Sequence, residues 1–396
     1  MSGLIAGTLS PRGDSVQISR HGRGGVMWLH VGWVSVIGAA MLSVIGVLAI
    51  GTTEPGLAKR QAVFALVGIL AAAAVCLPNA RQLAKAAWPL YFLSLALLLF
   101  VLIPGIPEWL VRPKNGARRW ISLQVFDFQP SEIAKIAVVF ALAQWIRSAE
   151  QIRKFKGFIV PFAMAAPPML LILVEPDLGT ALMLAPAVVA MVLASGARKR
   201  HVAYLILGVA MLAPVSYPFL KSHQRERVDA LWAQLNGDDR YARDIGFQAD
   251  RAMTLVGSGG LMGMGADQAR ALVRHNRLPE EHNDMIFAVI CCRWGFVGGL
   301  ITWGCGLVYA LGALLIALYA RDSFSRLVCI GIAATFAGQM VINTGMTLGV
   351  LPITGVTLPF VSYGGSSLVA LWIATGLLMN LAMRRPRGIE ALGAVA

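Results

Sequence analysis

Asp284 stands at the entry to a long apolar run that begins Met285-Ile286-Phe287. A carboxylate at such a boundary can serve as a general base at a wet rim, or as the N-cap of the helix behind it, accepting its first backbone N–H groups. Arg118 and Arg119 precede Trp120, two planar guanidinium forks beside a ring that anchors at a membrane interface. Bidentate bonds to a phosphate suit this trio, and so does contact with anionic lipid headgroups. Lys114 and Arg112 extend the same positive field. Glu132 and Lys135 follow Pro130-Ser131 at i, i+3 spacing, on one face of a helix and within ~8 Å of its start. They read either as a pair that orients and neutralises a phosphate or as an ion pair locking two helices. Glu175 and Asp177 flank Pro176 before Leu178-Gly179-Thr180, where a turn with helix capping competes with carboxylates that could help hold a divalent cation. Tyr363 and Ser366 sit in a run of small residues that opens the last apolar segment, fit for close helix packing or for touching a sugar.

These residues hang on an unusually apolar chain. Hydrophobic residues make up 57% and charged residues 14%, well to the membrane side of soluble averages. Apolar runs at about 27–50, 61–78, 84–104, 130–147, 157–174, 178–196, 201–220, 285–319, 325–350 and 363–383 predict an all-α polytopic membrane protein of about ten spans. An even count puts both termini on one side, and the basic short loops choose the cytoplasm: Arg81, Lys85, Arg147, Arg198, Arg200, Arg321, Arg326, Arg384 and Arg385 all fall there. The net charge of +14 is thus an orientation signal, and nucleic acid is not expected as a partner. Residues 1–26 read as a disordered cytoplasmic tail, 27–385 as one transmembrane domain and 386–396 as a second tail. Residues 221–284, between helices 7 and 8, form the one large extracytoplasmic loop, nearly neutral and long enough to be functional. Cys76, Cys291, Cys292, Cys305 and Cys329 all lie in apolar runs and read as packing residues.

Six strings then carry a resemblance: NGARRWISL from Asn115, QPSEIAK from Gln129, EPDLGTAL from Glu175, GSGGLMGMG from Gly257, LPEEHNDMIFAV from Leu278 and LPITGVTLPFVSYGGSSL from Leu351. In this order, over about residues 27–385, the chain resembles the SEDS family of RodA, FtsW and SpoVE. The stretch NTGMTLGVLPITGV is more similar to the RodA, cell-elongation branch than to the FtsW branch. The resemblance implies a ten-helix peptidoglycan glycosyltransferase that polymerises lipid II into a growing glycan strand, for elongation or division, beside a class B penicillin-binding protein. It implies a divalent cation, Mg or Mn, and it matches HNDMIF here to the family's catalytic aspartate motif, usually HTDFIF, which favours Asp284 as base. A glycosyl donor joined through pyrophosphate to a polyprenyl chain needs such a base and cations for its leaving group, both at the outer membrane interface.

Two features complicate the picture. Ser131 and Lys135 are four apart, not the three of a penicillin-binding protein nucleophile, so crosslinking falls to a partner. Where the family commonly has two glutamates after the aspartate segment, this chain has Cys291-Cys292-Arg293. Arg293 is expected well inside the span, compensated by an acid such as Glu132 or one of the outer turn. A flippase moving the lipid-linked precursor and a non-catalytic scaffold activating the penicillin-binding protein are the competing readings.

Overall fold

The computed structural model describes residues 30–114, 117–123, 126–147, 155–198, 200–204 and 246–383, with a few positions between 207 and 233. The two expected tails, most of the seventh apolar run and the first part of the long loop lie outside the described residues. Eleven helices are described: α1 (Gly32–Thr53), α2 (Pro55–Val75), α3 (Ala80–Leu102), α4 (Pro130–Ile146), α5 (Phe155–Val174), α6 (Leu178–Ala194), α7 (Gly246–Ser258), α8 (Ala266–Asn276), α9 (Ile286–Tyr319), α10 (Ser323–Thr347) and α11 (Gly365–Met383). Among them seven are long and apolar enough to cross a membrane, and Leu178–Ala194 is a shorter apolar helix. Their exposed Val, Ile, Leu and Phe side chains are what a helix needs against lipid.

The closest helix contacts are made through small residues. A Cβ on Gly38 of α1 would stand 2.7 Å from the Tyr309 backbone of α9, and one on Gly312 of α9 would stand 2.4 Å from Ser35 Oγ of α1. This reciprocal fit lets the two backbones approach as side chains would forbid, the main source of helix association where lipid removes the hydrophobic drive. A Cβ on Gly376 of α11 would likewise meet the Ala72 carbonyl of α2 at 2.5 Å. Between these pairs lies the core, with Tyr309, Phe336, Phe360 and Trp372 stacked in successive tilted and edge contacts.

The helical architecture carries one small addition that the sequence did not announce. The first outer loop contains a three-stranded antiparallel sheet in the order β1 (Val111–Lys114), β2 (Ala117–Ser122), β3 (Asp127–Phe128). Val111 and Ile121 bury against Val101 of α3 and so fix the sheet to the bundle. Pairing runs Arg112 to Trp120 and then Pro113 to Arg118, which leaves Arg119 as the extra residue of a β-bulge. A bulge re-aims the side chain it carries.

Helix α9 has 34 residues, about 51 Å if straight, far more than a bilayer requires. It breaks at Gly295, whose φ of 69° and ψ of −163° no other residue type adopts readily. In a continuous helix the N–H groups of Phe296 and Val297 would bond to Cys292 and Arg293. Instead they donate to Gly260 and Leu261 at 2.8 and 3.1 Å, while Met264 and Gly265 donate to Cys292 and Arg293 at 3.0 and 3.1 Å. The glycine-rich segment between α7 and α8 therefore supplies every backbone partner the break removes, so irregular main chain is buried in protein with its hydrogen bonds made.

Candidate active site

Asp284 lies in the turn before α9 and is half-buried, so its carboxylate is neither free in solvent nor sealed in packed protein. Three ties hold the turn to the segment between α10 and α11. The Tyr363 amide donates to the His282 carbonyl at 2.8 Å, and the Ser362 hydroxyl to the Asn283 carbonyl at 2.6 Å. Asn343 Nδ2 donates to the Asp284 carbonyl at 2.7 Å. The carboxylate itself lies over Gly355, whose φ is +75° and whose absent Cβ would sit 3.4 Å from Asp284 Oδ2. The N-cap reading fails, since the helix cap is Met285 and no side chain caps it.

On the far side of Gly355 the same segment meets the acidic turn. A Cβ on Gly179 would be 2.6 Å from the Thr354 carbonyl and 2.7 Å from Val356, so the 175–180 turn and the 354–356 segment are in contact only because residue 179 has no side chain. Arg119, turned out of its bulge, donates through Nε to the Glu175 carbonyl at 2.7 Å and through a terminal nitrogen to the Pro176 carbonyl, and its other terminal nitrogen lies 3.4 Å from Asp177. Its guanidinium is thus committed to holding the turn. Arg118 makes one bond, 2.6 Å to the Ile106 carbonyl, and is part-exposed with further N–H groups to offer. Trp120 is also part-exposed, with the Arg119 guanidinium 6.0 Å from its ring. Lys114 ends β1 opposite Ala117.

Asp177 caps α6 through Oδ1, which accepts from the Thr180 amide at 3.0 Å, and its Oδ2 faces Arg119 and, at 3.4 Å, the Gln129 amide. Glu175 is buried with both carboxyl oxygens lacking a protein partner, and burial first, with the neighbouring Asp177 second, pushes its carboxyl up to about 8 against the lowering by Arg119. Asp177 spends its oxygens on an N–H and the Arg119 guanidinium, and among the described residues no three His, Cys, Asp or Glu gather as ligands, so Glu175 is the one carboxylate of this turn with its oxygens unspent.

Glu132 and Lys135 form an ion pair at 3.0 Å, each 6% exposed, beside a cavity of about 40 Å³ also lined by Gln339 and Tyr309. That volume holds a few waters. Ser366 accepts the Gln129 amide at 2.9 Å and so joins the start of α4 to α11, a structural use. Tyr363 presents its ring edge to His282 and Phe64.

Against this geometry the comparisons with known proteins are decisive. The family model described as cell cycle protein, FtsW/RodA/SpoVE, matches residues 25–386. The chain belongs to the FtsW/RodA/SpoVE family. It is 36% identical over 325 residues to a probable peptidoglycan glycosyltransferase FtsW of Trichlorobacter lovleyi, covering 82% of each chain. It is 34% identical to stage V sporulation protein E of Bacillus subtilis, covering 82% of this chain and 86% of that one. Among solved structures it resembles a chain of a peptidoglycan synthase complex (TM-score 0.75, 32% identity, 88% and 96% covered) and the rod shape determining protein RodA of Thermus thermophilus (TM-score 0.66, 30% identity, 89% and 97% covered). Names from all three branches appear, so the comparisons carry the family and not the branch. A multi-pass membrane protein is what this family and the seven spans describe.

Arg293 departs from its expected role. Among the described residues no acid pairs with it: Nη1 donates to the Leu48 carbonyl at 2.6 Å and to Thr52 Oγ1 at 2.8 Å, at the outer end of α1, and the guanidinium lies 4.4 Å from the ring of Trp294. Glu132, the acid first suspected, is spent on Lys135. The break at Gly295 explains the difference, because it keeps Arg293 level with the end of α1, where helix carbonyls supply the negative partner. Sequence reasoning also passed over Asn343, Ser362 and Gly355. Only Asn343 gave a signal, a strong polar group inside the apolar run of α10.

Proposed function

We propose that this chain is a peptidoglycan glycosyltransferase, polymerising lipid II at the outer face of the cytoplasmic membrane. The observation that carries the reading is the half-buried carboxylate of Asp284, laid over a glycine in a turn whose main chain accepts three hydrogen bonds, one at each of His282, Asn283 and Asp284, in a chain of this family. In this reading Asp284 takes the proton of the acceptor sugar hydroxyl. The freed oxygen forms its bond to C1 of the donor sugar as the C1–O bond to the pyrophosphate breaks, with inversion, and the polyprenyl pyrophosphate departs with the bonding pair. Arg118, with N–H groups unspent, is the cation for that leaving group. Arg119 positions the acidic turn, and Lys135 acts as half of a buried pair with Glu132. A divalent cation, which the family resemblance implies, would draw on Glu175 rather than Asp177, whose oxygens are spent on Arg119 and the Thr180 amide. The likeness to a chain of a peptidoglycan synthase complex supports a class B penicillin-binding protein as partner.

The test uses the full chain, purified in detergent and supplied with lipid II and Mg²⁺ or Mn²⁺. Glycan strands are expected from the unmodified protein and none from Asp284→Ala, with the thermal unfolding midpoint of the variant unchanged. Strands formed at an undiminished rate by Asp284→Ala would overturn the assignment. Transbilayer movement of lipid II with no polymer would favour the flippase instead.

A further inference from the structure

Asn343 sits one turn from the outer end of α10, wholly buried, in a helix otherwise made for apolar surroundings. A polar amide in such a place is retained for what it bonds. Its Nδ2 spends both hydrogens, at 2.7 Å on the Asp284 carbonyl and at 2.7 Å on the Val356 carbonyl. Two carbonyls can only accept, so the amide has one orientation; turning it over would set three oxygens against each other. Oδ1 is left buried without a protein partner among the described residues. The two carbonyls belong to different stretches of irregular chain, the turn before α9 and the strap between α10 and α11. Between them lies Gly355, the residue the Asp284 carboxylate covers. The first turn of α9 does not by itself locate Asp284, for the Ala288 amide donates to Met285 at 3.0 Å and the helix starts behind it.

We infer that Asn343 is a positioning residue for the reaction: its amide ties the Asp284 main chain to Val356, next to the glycine over which the carboxylate lies, and so sets where that carboxylate meets the acceptor hydroxyl. The inference rests on Asp284 being the base. A base must stand within hydrogen-bond reach of the proton it takes, and a displacement of about 1 Å at such a group costs on the order of 100-fold. The clasp is anchored on α10, a long helix packed against α4, α6 and α9, which makes it more rigid than either segment it joins. Ser362 and Tyr363 bond to the Asn283 and His282 carbonyls, whereas the Asn343 amide bonds to the Asp284 carbonyl itself.

The experiment compares Asn343→Leu, Asn343→Gln and Asp284→Ala in the full-length purified chain, reading kcat, KM for lipid II, the kcat–pH profile and the unfolding midpoint. For Asn343→Leu, kcat is expected to fall 10- to 100-fold with KM within threefold, and the acidic limb of the pH profile to move because the carboxylate changes surroundings. Asn343→Gln restores both N–H groups on a longer stem and is expected to recover at least a quarter of the activity. A merely structural role would lower the unfolding midpoint while leaving the pH profile of the remaining activity where it was, and that result overturns the inference. So does an Asn343→Leu variant with unchanged kcat. If the Leu variant does not fold, Asn343→Ala, which also removes both N–H groups, takes its place: folded, with kcat and pH profile both unaltered, it refutes the clasp. Asp284→Ala separates the two claims, since its full activity removes the base and the inference together. Its inactivity beside an untouched Asn343→Leu removes the inference alone.

Discussion

A carboxylic acid buried without a hydrogen-bond partner holds its proton, and Glu175 is such a group. Its folded pKa of about 8 lies above that of an exposed glutamate, so between about pH 4.5 and pH 8 the unfolded chain has released a proton that the native chain keeps. Stability therefore falls as pH rises through this window and levels off above it. Glu175→Gln keeps the shape and removes the titration. Its unfolding midpoint is expected to exceed that of the unmodified protein at pH 8, by an amount corresponding to roughly 1–3 kcal/mol, and to converge with it near pH 4.5. A gap of the same size at both pH values would show that the carboxyl does not titrate in this range. Arg293 allows a second prediction at this scale. Its guanidinium satisfies carbonyl and hydroxyl groups at the outer end of α1, so Arg293→Glu, which reverses the charge, sets a carboxylate against the Leu48 carbonyl. A loss of about 2–4 kcal/mol is expected from the lost charged hydrogen bonds and the repulsion, read as a lower unfolding midpoint. Of the single residues, sequence alone made Asp284 legible, because an acid at the mouth of an apolar run is conspicuous. It could not show the protein partners of Arg119 and Arg293, which come from chain 56 and 245 residues away and leave no local pattern.

Elements were legible to the degree that their pattern is local. Apolar runs located α1 to α6 and α9 to α11, with ends up to about six residues off in α1 to α3, and Pro130 marked the start of α4. The sheet was missed because its strands have four, six and two residues, rich in Arg and Pro, and alternate too briefly to stand out from a basic loop. Nothing local in the glycine-rich segment from Gly257 to Gly265 names what it packs against. The structure gives it a partner, for a Cβ on Gly259 would lie 1.9 Å from the Cys291 carbonyl and one on Gly263 2.2 Å from that of Arg293. The contacts are with main chain, which cannot swing aside as a side chain could. Gly259→Ala should then separate the segment from the break in α9, strand the hydrogen bonds exchanged there and cost about 1–3 kcal/mol. Faster proteolysis between α7 and α8, together with a lower unfolding midpoint, checks it; an Ala variant as protease-resistant as the unmodified chain would mean the segment is not docked.

At the scale of the whole molecule, polymerisation and crosslinking must be separable. The chain has no Ser-x-x-Lys anywhere, and its one suggestive pair, Ser131 and Lys135, is four residues apart with the lysine bound to Glu132. A β-lactam acylates the serine of such a motif because it mimics the peptide substrate of crosslinking, and here it has no target. The base proposed for glycosyl transfer is a carboxylate, and carboxylates of this kind do not open the lactam. Glycan made by the purified protein is accordingly expected to be entirely uncrosslinked, and its rate of formation unaffected by a β-lactam at concentrations that saturate a transpeptidase. Adding a class B penicillin-binding protein should introduce crosslinks that the drug abolishes while polymer continues to form. Crosslinked product from this chain alone, or polymerisation halted by the drug in the absence of the partner, would require a second active site that the fold does not contain among its described residues.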